Sequence, residues 1–523
     1  MDSIPTTMSL VGDLVAAALN NNMLSVEMSP LFSRLEPLLL RQFAQMFGLG
    51  DRAGGILISG GSLSNLQSLA VARNYTLSAQ QQGIASLGKQ PVILASEAAH
   101  TSLEKAAMVL GLGTSGVVRV ATNENAQMRV DALEAAIQQA GDAGKIPFAI
   151  AATAGTTATG NIDPLPEIYQ VARQYQLWFH VDAVYGGALV FSPQYQHYLN
   201  GIENADSVSF NPQKWLYVAK TCSMVLFRDF AGLADTFQIE APYMQRSPQW
   251  WNLGEVSVQG TRHADILKLW LSLQHLGKQG YARLIEGSYQ LTAYLVASIR
   301  ERSYLQLATQ PQINVICFRL AGSDRANEQL QKFLLQEYNT FLSLHRYKQK
   351  QWLKMESPLT CLFVGGIVSS FERLQPLAIL LSATMGLVLS RAGFATQLAE
   401  IAIEPLLVAV LYATFLPIPL QQFGRAFRNR SVTLASLVIN FVWTPLLAWG
   451  LGAFFLANAP DLRLGLLMLL VTPCTDWYLV FTGLAKGDVA LGSALLPLNA
   501  ILQLVLFKYP ATIAKPLGVL LYL

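Results

Sequence analysis

Short apolar runs alternate with polar, helix-forming stretches over residues 1–354 of this 523-residue chain. The runs at residues 91–95, 148–153 and 177–181 have the length and apolar composition of buried strands, and residues 314–320 form another such run. Strands that alternate with helices are typical of an α/β sandwich with a mostly parallel sheet. We therefore predict an α/β fold for this part of the chain.

The pattern changes from Met355, where long apolar runs replace the alternation and the charged residues cluster between them. Each run is close to the roughly 20 residues that a helix needs to cross a bilayer. A charged fraction of 13% and a mean hydropathy of +0.34 agree with a chain that is partly membrane-embedded. A buried soluble core is the alternative, but five runs in succession favour a membrane domain. The predicted segments are about 374–390, 405–420, 432–456, 464–484 and 489–507.

Basic residues between the segments predict their orientation. Arg425, Arg428 and Arg430 crowd the loop between the second and third segments, so this loop is expected to be cytoplasmic. The first segment would then start inside, and residues 1–354 would face the cytoplasm. The same orientation places a second basic group inside: Arg346, Lys348, Lys350 and Lys354.

The most informative residue is Lys214, in the stretch Asn-Pro-Gln-Lys-Trp that follows a short apolar run. A lysine flanked by Asn and Gln rather than by acids is placed to lose its proton and attack a carbonyl. Such an amine can form a Schiff base, and pyridoxal phosphate is the usual carbonyl partner. Because lysines are common, this stretch alone is only suggestive.

A Gly-Gly-Ser sequence at residues 60–62 opens a predicted helix. Two glycines allow close approach of the backbone to a ligand, and Ser62 is expected to cap the helix. The exposed N–H groups and the positive helix end would then suit a phosphate. Taken alone, such a start is more often a plain helix cap.

Asp182 ends an apolar strand in the sequence His-Val-Asp-Ala. Its carboxylate is expected at the carboxyl edge of the sheet, where α/β proteins bind ligands. A buried carboxylate needs a partner, and a protonated pyridine nitrogen is one. Capping of a turn is the alternative role for Asp182. His100, before another helix, could stack on a flat ring, although one His near a helix start is usually a cap or a surface residue.

Taken together, these segments resemble the group II pyridoxal phosphate-dependent amino acid decarboxylases over about residues 8–354. The order of phosphate loop, His100, an Ala-Gly-Thr-Thr turn, the His-Val-Asp-Ala strand and the lysine segment matches that family. The resemblance implies a fold type I, aminotransferase-like large domain and a truncated small domain. It also implies decarboxylation of an L-amino acid to an amine and carbon dioxide, with pyridoxal 5'-phosphate as the cofactor.

The resemblance also implies a role for each site residue. Lys214 would be the Schiff-base lysine, Asp182 the pyridinium partner and His100 the stacking residue. Tyr243 falls where the family has a mobile-loop tyrosine that protonates the carbanion. Gln213 stands where many relatives have His, and Val184 where a smaller Ala often packs under the ring, so the cavity is expected to be slightly crowded. The remaining residues expected to hold or adjoin the cofactor are Gly61, Ser62, Thr157, Asn211 and Arg262.

Family members have several dozen residues before the point at which this chain begins, and these usually interlock two subunits. We expect a homodimer, with part of that interface missing. A last small-domain strand is expected to begin near residues 351–354 in the family, and the sequence here does not predict it. The predicted domains are 1–290 (cofactor-binding), 291–354 (partial small domain, with residues 324–354 helical), 355–370 (junction) and 371–523 (membrane).

In the fourth apolar segment, a proline at 473 breaks the helix beside Cys474 and Asp476. Free backbone groups at mid-membrane are typical of transporter sites, and an intramembrane Asp is unfavourable unless it lines a polar cavity. A Cys474 thiolate would suit arsenite, whereas inert packing is the alternative. Residues 371–507 resemble the bile acid–sodium symporter superfamily, close to its arsenite efflux branch. Such carriers have two inverted repeats of five helices, and only one is found here.

Other features exclude several classes of function. Cys222, Cys317, Cys361 and Cys474 have neither metal-ligand nor disulfide spacing. A net charge of +3 gives no reason to expect nucleic acid as a partner, and no cleavable signal peptide is recognisable. Three hypotheses stay open: a membrane-tethered decarboxylase, a carrier built from half-transporters, and an inactive fusion of two truncated genes. The sequence does not indicate which amino acid is the substrate.

Overall fold

The computed structural model describes residues 4–242, 244, 249–338, 340–356, 434, 437–438 and 442–455. The chain forms two compact units, Met1–Phe371 and Glu372–Leu523. Each unit is described by itself below.

The first unit is built on a seven-stranded sheet. Its strands are short and almost entirely buried, as expected for a sheet that is covered on both faces. The strands predicted near residues 91, 148 and 177 are confirmed as the second, fourth and fifth of the chain. In chain order the seven strands are β1 (Gly54–Ile58), β2 (Pro91–Ser96), β3 (Val117–Val120), β4 (Ile146–Thr153), β5 (Trp178–Asp182), β6 (Ser207–Phe210) and β7 (Ser223–Phe227).

Helices precede, separate and follow these strands. Short 3₁₀ turns connect β5 to β6, and the longest helix changes direction at Gly277, whose φ of 64° is outside the helical range. In chain order the helices are α1 (Thr7–Leu19), α2 (Phe32–Met46), α3 (Gly61–Leu77), α4 (Ser102–Val109), α5 (Val130–Asp142), α6 (Leu165–Gln174), α7 (Phe230–Phe237) and α8 (Ile266–Arg300).

The strand order of the sheet is β1-β7-β6-β5-β4-β2-β3. The strands β3, β2, β4, β5 and β6 are parallel, whereas β7 is antiparallel to both of its neighbours, β6 and β1. Strand β1 therefore runs in the same direction as the parallel set. The carboxyl ends of β1, β2, β4, β5 and β6 lie at one edge, which is where open α/β sheets bind ligands.

A second, four-stranded antiparallel sheet follows α8 and has the order β10-β11-β9-β8. The strand predicted at residues 314–320 is confirmed as the second of these four. The helix α9 (Asp324–Tyr338) lies between the second and third strands. The four strands are β8 (Leu305–Leu307), β9 (Val315–Leu320), β10 (Ser343–Tyr347) and β11 (Lys350–Glu356).

Two expectations for this region are wrong. Residues 324–354 are not helical throughout, and the last strand of the small domain does begin, because β11 pairs with both β10 and β9. The hairpin turn between β10 and β11 uses Lys348 and Gln349 at φ 46° and 62°. Two-residue hairpin turns with positive φ usually contain Asn or Gly. Without that turn signal, we predicted a helix where the structure has β10 and β11.

The described part of the second unit includes one helix of regular length, α10 (Thr444–Phe455). It lies within the third predicted membrane segment, residues 432–456. Among the described residues, no helix combines the length and apolarity required to cross a bilayer. The other four predicted segments lie outside the described residues, as do Cys474 and Asp476.

Candidate active site

A cavity of about 240 Å³ opens at the carboxyl edge of the seven-stranded sheet. Val184, which was expected to crowd this space, is among its lining residues. Eight other residues that the sequence analysis singled out line the same cavity: Gly61, Ser62, His100, Thr157, Asp182, Asn211, Gln213 and Lys214. Five lining residues were not singled out: Asn65, Ser102, Thr153, Gly155 and Tyr185.

The start of α3 forms one side of the cavity. Gly60 precedes the helix with a φ of 96°, a value that favours glycine, and no side chain caps the helix. The expectation that Ser62 is the cap is therefore wrong, because the helix already begins at Gly61. A Cβ atom on Gly61 would lie 3.0 Å from Val184 Cγ2. Because glycine has no Cβ, the backbone at this position can lie close to Val184 at the edge of the cavity. The first N–H groups of α3 are placed to bind an anion.

Asn211, which follows β6, adjoins this helix start. Its amide oxygen accepts a hydrogen bond from Gly61 N at 3.2 Å, and its amide nitrogen donates to Phe210 O at 3.2 Å. The side chain thus links the end of β6 to the anion-binding end of the cavity.

Asp182, at the end of β5, is the buried carboxylate of the site, with 6% of its surface exposed. Oδ2 accepts a hydrogen bond from Asn65 Nδ2 at 2.8 Å, and Oδ1 accepts one from Val184 N at 3.2 Å. Both donors are electrically neutral. A buried carboxylate held by neutral donors and facing a cavity favours a cationic ligand group beside it.

Lys214 lies four residues beyond the end of β6. Its backbone N–H donates to Asn211 O at 3.0 Å, and its Nζ lies 6.0 Å from the centre of the Tyr185 ring. The amine is therefore directed toward the cavity that Asp182 and Gly61 also line. This arrangement brings an amine, a carboxylate and an anion-binding helix start together.

His100 reaches the cavity from the loop after β2. Its Nδ1 accepts a hydrogen bond from Ser102 N at 3.1 Å, which requires an unprotonated Nδ1. Partial burial lowers the pKa of His100, the Asp182 carboxylate raises it, and the Lys214 and Lys105 ammonium groups lower it further. A neutral imidazole near neutral pH can stack on a flat ring without adding positive charge.

Thr153, at the end of β4, offers a hydroxyl to the cavity. Its Oγ1 is buried and has no hydrogen-bond partner among the described residues, although its backbone N–H donates to Asp163 Oδ2 at 2.8 Å. A buried hydroxyl without a hydrogen-bond partner is unfavourable unless a ligand supplies the missing hydrogen bond. The cavity therefore fits pyridoxal phosphate, which has a carbonyl for an amine, a basic ring nitrogen for a carboxylate and a phosphate for a helix start.

Arg262 does not line this cavity. Its guanidinium forms a buried ion pair with Glu36 of α2 and donates to Leu57 O of β1 at 2.9 Å. It therefore joins α2, β1 and the segment before α8, whereas the sequence analysis expected it beside the cofactor. The predicted proton donor Tyr243 lies outside the described residues.

Asn65 is the most informative residue that sequence reasoning missed. It lies four residues after Gly61 in α3, on the same helix face, and is 1% exposed. A polar side chain at that spacing, inside a helix that is otherwise closely packed, was the available signal. Only the tertiary structure shows that the amide of Asn65 meets the carboxylate of Asp182.

A family model for the pyridoxal-dependent decarboxylase conserved domain matches residues 1–321. The chain belongs to the pyridoxal-dependent decarboxylase family. A second model, for the sodium bile acid symporter family, matches residues 404–517. The chain thus combines a decarboxylase family domain with a symporter family domain, as the two resemblances predicted.

Two curated relatives of this decarboxylase-family chain are similar over its first unit. It is 35% identical over 316 residues to an acidic amino acid decarboxylase, GADL1, of Xenopus tropicalis, covering 59% of this chain and 61% of the relative. It is 36% identical over 328 residues to the L-aspartate decarboxylase dtxS4 of Metarhizium robertsii, covering 61% and 65%. The chain therefore spans less than two thirds of the length of these relatives.

The fold is also found in a solved structure. The crystal structure of mouse CSAD superposes with a TM-score of 0.64 at 30% sequence identity, covering 68% of this chain and 77% of that one. The α/β fold predicted for the first unit is confirmed. The all-helical arrangement predicted for the membrane domain stays a prediction.

Proposed function

We propose that the first unit decarboxylates an L-amino acid to an amine and carbon dioxide with pyridoxal phosphate as cofactor. The observation that carries this proposal is the convergence of Lys214, Asp182 and the start of α3 on one cavity. The match of residues 1–321 to the decarboxylase family supports the same reaction.

Each side chain of the cavity would have a separate role that follows from its chemistry. The Lys214 amine would hold the cofactor through its carbonyl carbon until the substrate amine replaces it. The start of α3 at Gly61 and Ser62, with the Ser62 N–H as a donor, would bind the phosphate. Asp182 would hold a proton on the ring nitrogen. When bound, the cofactor supplies an electron-withdrawing ring that accepts the electron pair left by carbon dioxide. His100 would stack on that ring and fix its plane.

Two further residues complete the proposed site. Thr157 lines the cavity and would lie beside the cofactor. Tyr243, from its place in the sequence, would return the proton to the α-carbon of the substrate. Gln213 lines the cavity where many relatives have His, and its Oε1 already accepts a hydrogen bond from Cys222 N. It would act as a support for the loop before Lys214 and not as a proton carrier.

We infer that the substrate has an acidic side chain. The two curated relatives are named for an acidic amino acid and for L-aspartate, at 35% and 36% identity. Aspartate and glutamate are therefore the first substrates to test.

The deciding experiment compares the full chain, purified in detergent with pyridoxal phosphate, with its Lys214→Ala variant. We expect a visible absorption band in the wild type that the variant lacks, and release of carbon dioxide from an acidic amino acid by the wild type alone. Lys89→Ala, which removes an exposed lysine, serves as the matched control and should keep the band. A wild type without a Lys214-dependent band would refute the decarboxylase proposal and leave the inactive fusion.

We further propose that residues 404–517 attach the enzyme unit to a membrane, with that unit in the cytoplasm. The symporter family match and the basic loop at Arg425, Arg428 and Arg430 support this. Carbonate extraction should leave the full chain in the membrane fraction, and protease added to sealed inside-out vesicles should cleave the first unit. A protein released by carbonate would contradict the tether. Arsenite or sodium-coupled flux lost in Cys474→Ala would favour the carrier instead.

A further inference from the structure

A chain of buried polar side chains leads to Asp182 and includes one residue that lines the cavity, Asn65. It runs from Trp178 of β5 to Ser207 of β6, back to His180 of β5, on to Asn65 of α3 and from there to Asp182. The distances are 2.9 Å from Trp178 Nε1 to Ser207 Oγ, 2.9 Å from Ser207 Oγ to His180 Nδ1, 3.1 Å from His180 Nε2 to Asn65 Oδ1 and 2.8 Å from Asn65 Nδ2 to Asp182 Oδ2.

The direction of every hydrogen bond in this chain follows from its last member. An ionised carboxylate only accepts, so the Asn65 amide must present its NH₂ group to Asp182 and its oxygen to His180. His180 must then carry its proton on Nε2, which leaves Nδ1 as an acceptor. Ser207 therefore donates to His180, and its oxygen accepts from the Trp178 indole.

Because these side chains are buried, the directions of their hydrogen bonds are fixed. Asn65, His180 and Ser207 are each at most 1% exposed. Burial also lowers the pKa of His180, with Asp182 acting in the opposite direction, so the imidazole is neutral and keeps one tautomer. The second N–H of the Asn65 amide donates to Ser102 Oγ at 2.9 Å. Asn65 thus has all of its hydrogen-bonding groups engaged and no freedom to rotate.

We propose that Asn65 and His180 are positioning residues for the cofactor: through this hydrogen-bond chain they hold Asp182 Oδ2 and direct the carboxylate toward the ring nitrogen of pyridoxal phosphate. This inference rests on the proposed function. In a hydrogen-bonded series, each bond polarises the next, so the chain also strengthens the bond that Asp182 receives. Neither Asn65 nor His180 touches the reacting atoms.

The test measures the affinity of the full chain for two ligands. One is pyridoxal phosphate, and the other is its deaza analogue, in which a carbon replaces the ring nitrogen. Loss of a hydrogen bond to a charged group weakens binding roughly tenfold or more, so Asn65→Leu should bind pyridoxal phosphate at least about tenfold more weakly. Its affinity for the deaza analogue, which has no ring nitrogen, should change less than about twofold.

His180 provides a graded comparison. We expect His180→Leu, which removes the donor to Asn65, to weaken pyridoxal phosphate binding by about threefold to tenfold. His180→Gln keeps an amide donor and should recover most of that loss. Ser68→Ala is the matched control, since it removes a buried hydroxyl from α3 that has no hydrogen-bond partner among the described residues, and both affinities should stay unchanged.

The outcomes separate this inference from the proposed function. Equal losses for both ligands, or no loss for either, would show that Asn65 and His180 only support the fold and would overturn the inference. A wild type that binds no pyridoxal phosphate would refute the proposed function itself. Should the variants fail to fold, nitrogen-15 NMR of the histidines in the wild type still decides, because a His180 proton on Nδ1 would contradict the chain.

Discussion

Two buried carboxylates of the first unit are held in opposite ways. Glu36, which is 1% exposed, accepts hydrogen bonds from the Arg262 guanidinium and from Leu57 N at 2.9 Å. Asp182 accepts hydrogen bonds from the neutral Asn65 amide and Val184 N–H and faces a cavity. A carboxylate paired with a buried arginine has its charge compensated within the fold. One held by neutral donors at a cavity is arranged for a cation from a ligand.

The largest expected effect is on stability, at Glu36. Replacing Glu36 by Leu leaves the Arg262 charge buried without its partner, which typically costs about 3–5 kcal/mol. We expect urea unfolding of the first unit, followed by tryptophan fluorescence, to show a loss of that size. The double variant Glu36→Leu/Arg262→Met should recover much of it, and failure to recover would argue that the pair has a role beyond charge compensation.

The second prediction concerns Asp182. Asp182→Asn keeps the shape of the side chain but removes the charge that would hold the proton on the ring nitrogen. We expect carbon dioxide release to fall by about a hundredfold or more, as when one electrostatic group of an active site is removed. The free energy of unfolding should change by less than about 1 kcal/mol, since a surplus buried charge is removed. A large loss of stability in Asp182→Asn would contradict the proposed difference between Asp182, which serves the ligand, and Glu36, which serves the fold.

A third prediction concerns the anion-binding end of the same cavity. In Gly61→Ala, the new Cβ would lie 3.0 Å from Val184 Cγ2 and 3.2 Å from the side-chain amide of Asn211. Such crowding should weaken pyridoxal phosphate binding by roughly 1 kcal/mol, measured by fluorescence titration. The double variant Gly61→Ala/Val184→Ala should bind more tightly than Gly61→Ala alone, because the smaller side chain makes room. Equal affinities of the single and double variants would show that crowding against Val184 does not cause the weaker binding.

Near neutral pH the smallest expected effect is at His180, where the pH dependence of stability changes. Its pKa in the folded protein lies below the ordinary value of 6.5 because of burial, so the unfolded chain binds the proton first. The stability contributed by neutral His180 is present above pH 6.5 and is lost as the pH falls toward the folded pKa, by up to about 1.4 kcal/mol per pH unit. His180→Gln should lack this part of the pH dependence.

The measured quantity is the difference in free energy of unfolding between the wild type and His180→Gln from pH 7 to 5. Asp163 contributes with the opposite sign, since burial raises its pKa to about 6 and protonation then favours the folded state as the pH falls. That contribution is present in both proteins and cancels in the difference. Parallel pH profiles would show that His180 is not the group responsible.

The candidate site shows where sequence reasoning reached its limit. Lys214, Asp182 and Gly61 could be predicted to line one cavity because each lies at the end of a strand or within four residues after it. The strands of a parallel sheet bring their carboxyl ends together. Arg262 was expected beside the cofactor from its place in the sequence, yet it pairs with Glu36. These two residues are 226 positions apart, and nothing local in either segment indicates the other.

The small sheet shows a second limit. β11 was missed because its turn residues, Lys348 and Gln349, adopt positive φ without the usual Asn or Gly. The strand exists because its partners β9 and β10 supply the hydrogen bonds, which is a tertiary property.

By itself, the sequence determined the α/β alternation, the cavity-lining residues near strand ends and the presence of two family domains, because these depend on local periodicity and short motifs. Only the tertiary structure decided which buried polar side chains meet. Asn65 and His180 lie 115 positions apart and Glu36 and Arg262 226 apart, and such pairs form only when the sheet and helices pack. The role of a buried charge depends on its partner. The tertiary structure therefore decides whether a carboxylate is structural or faces the cofactor cavity.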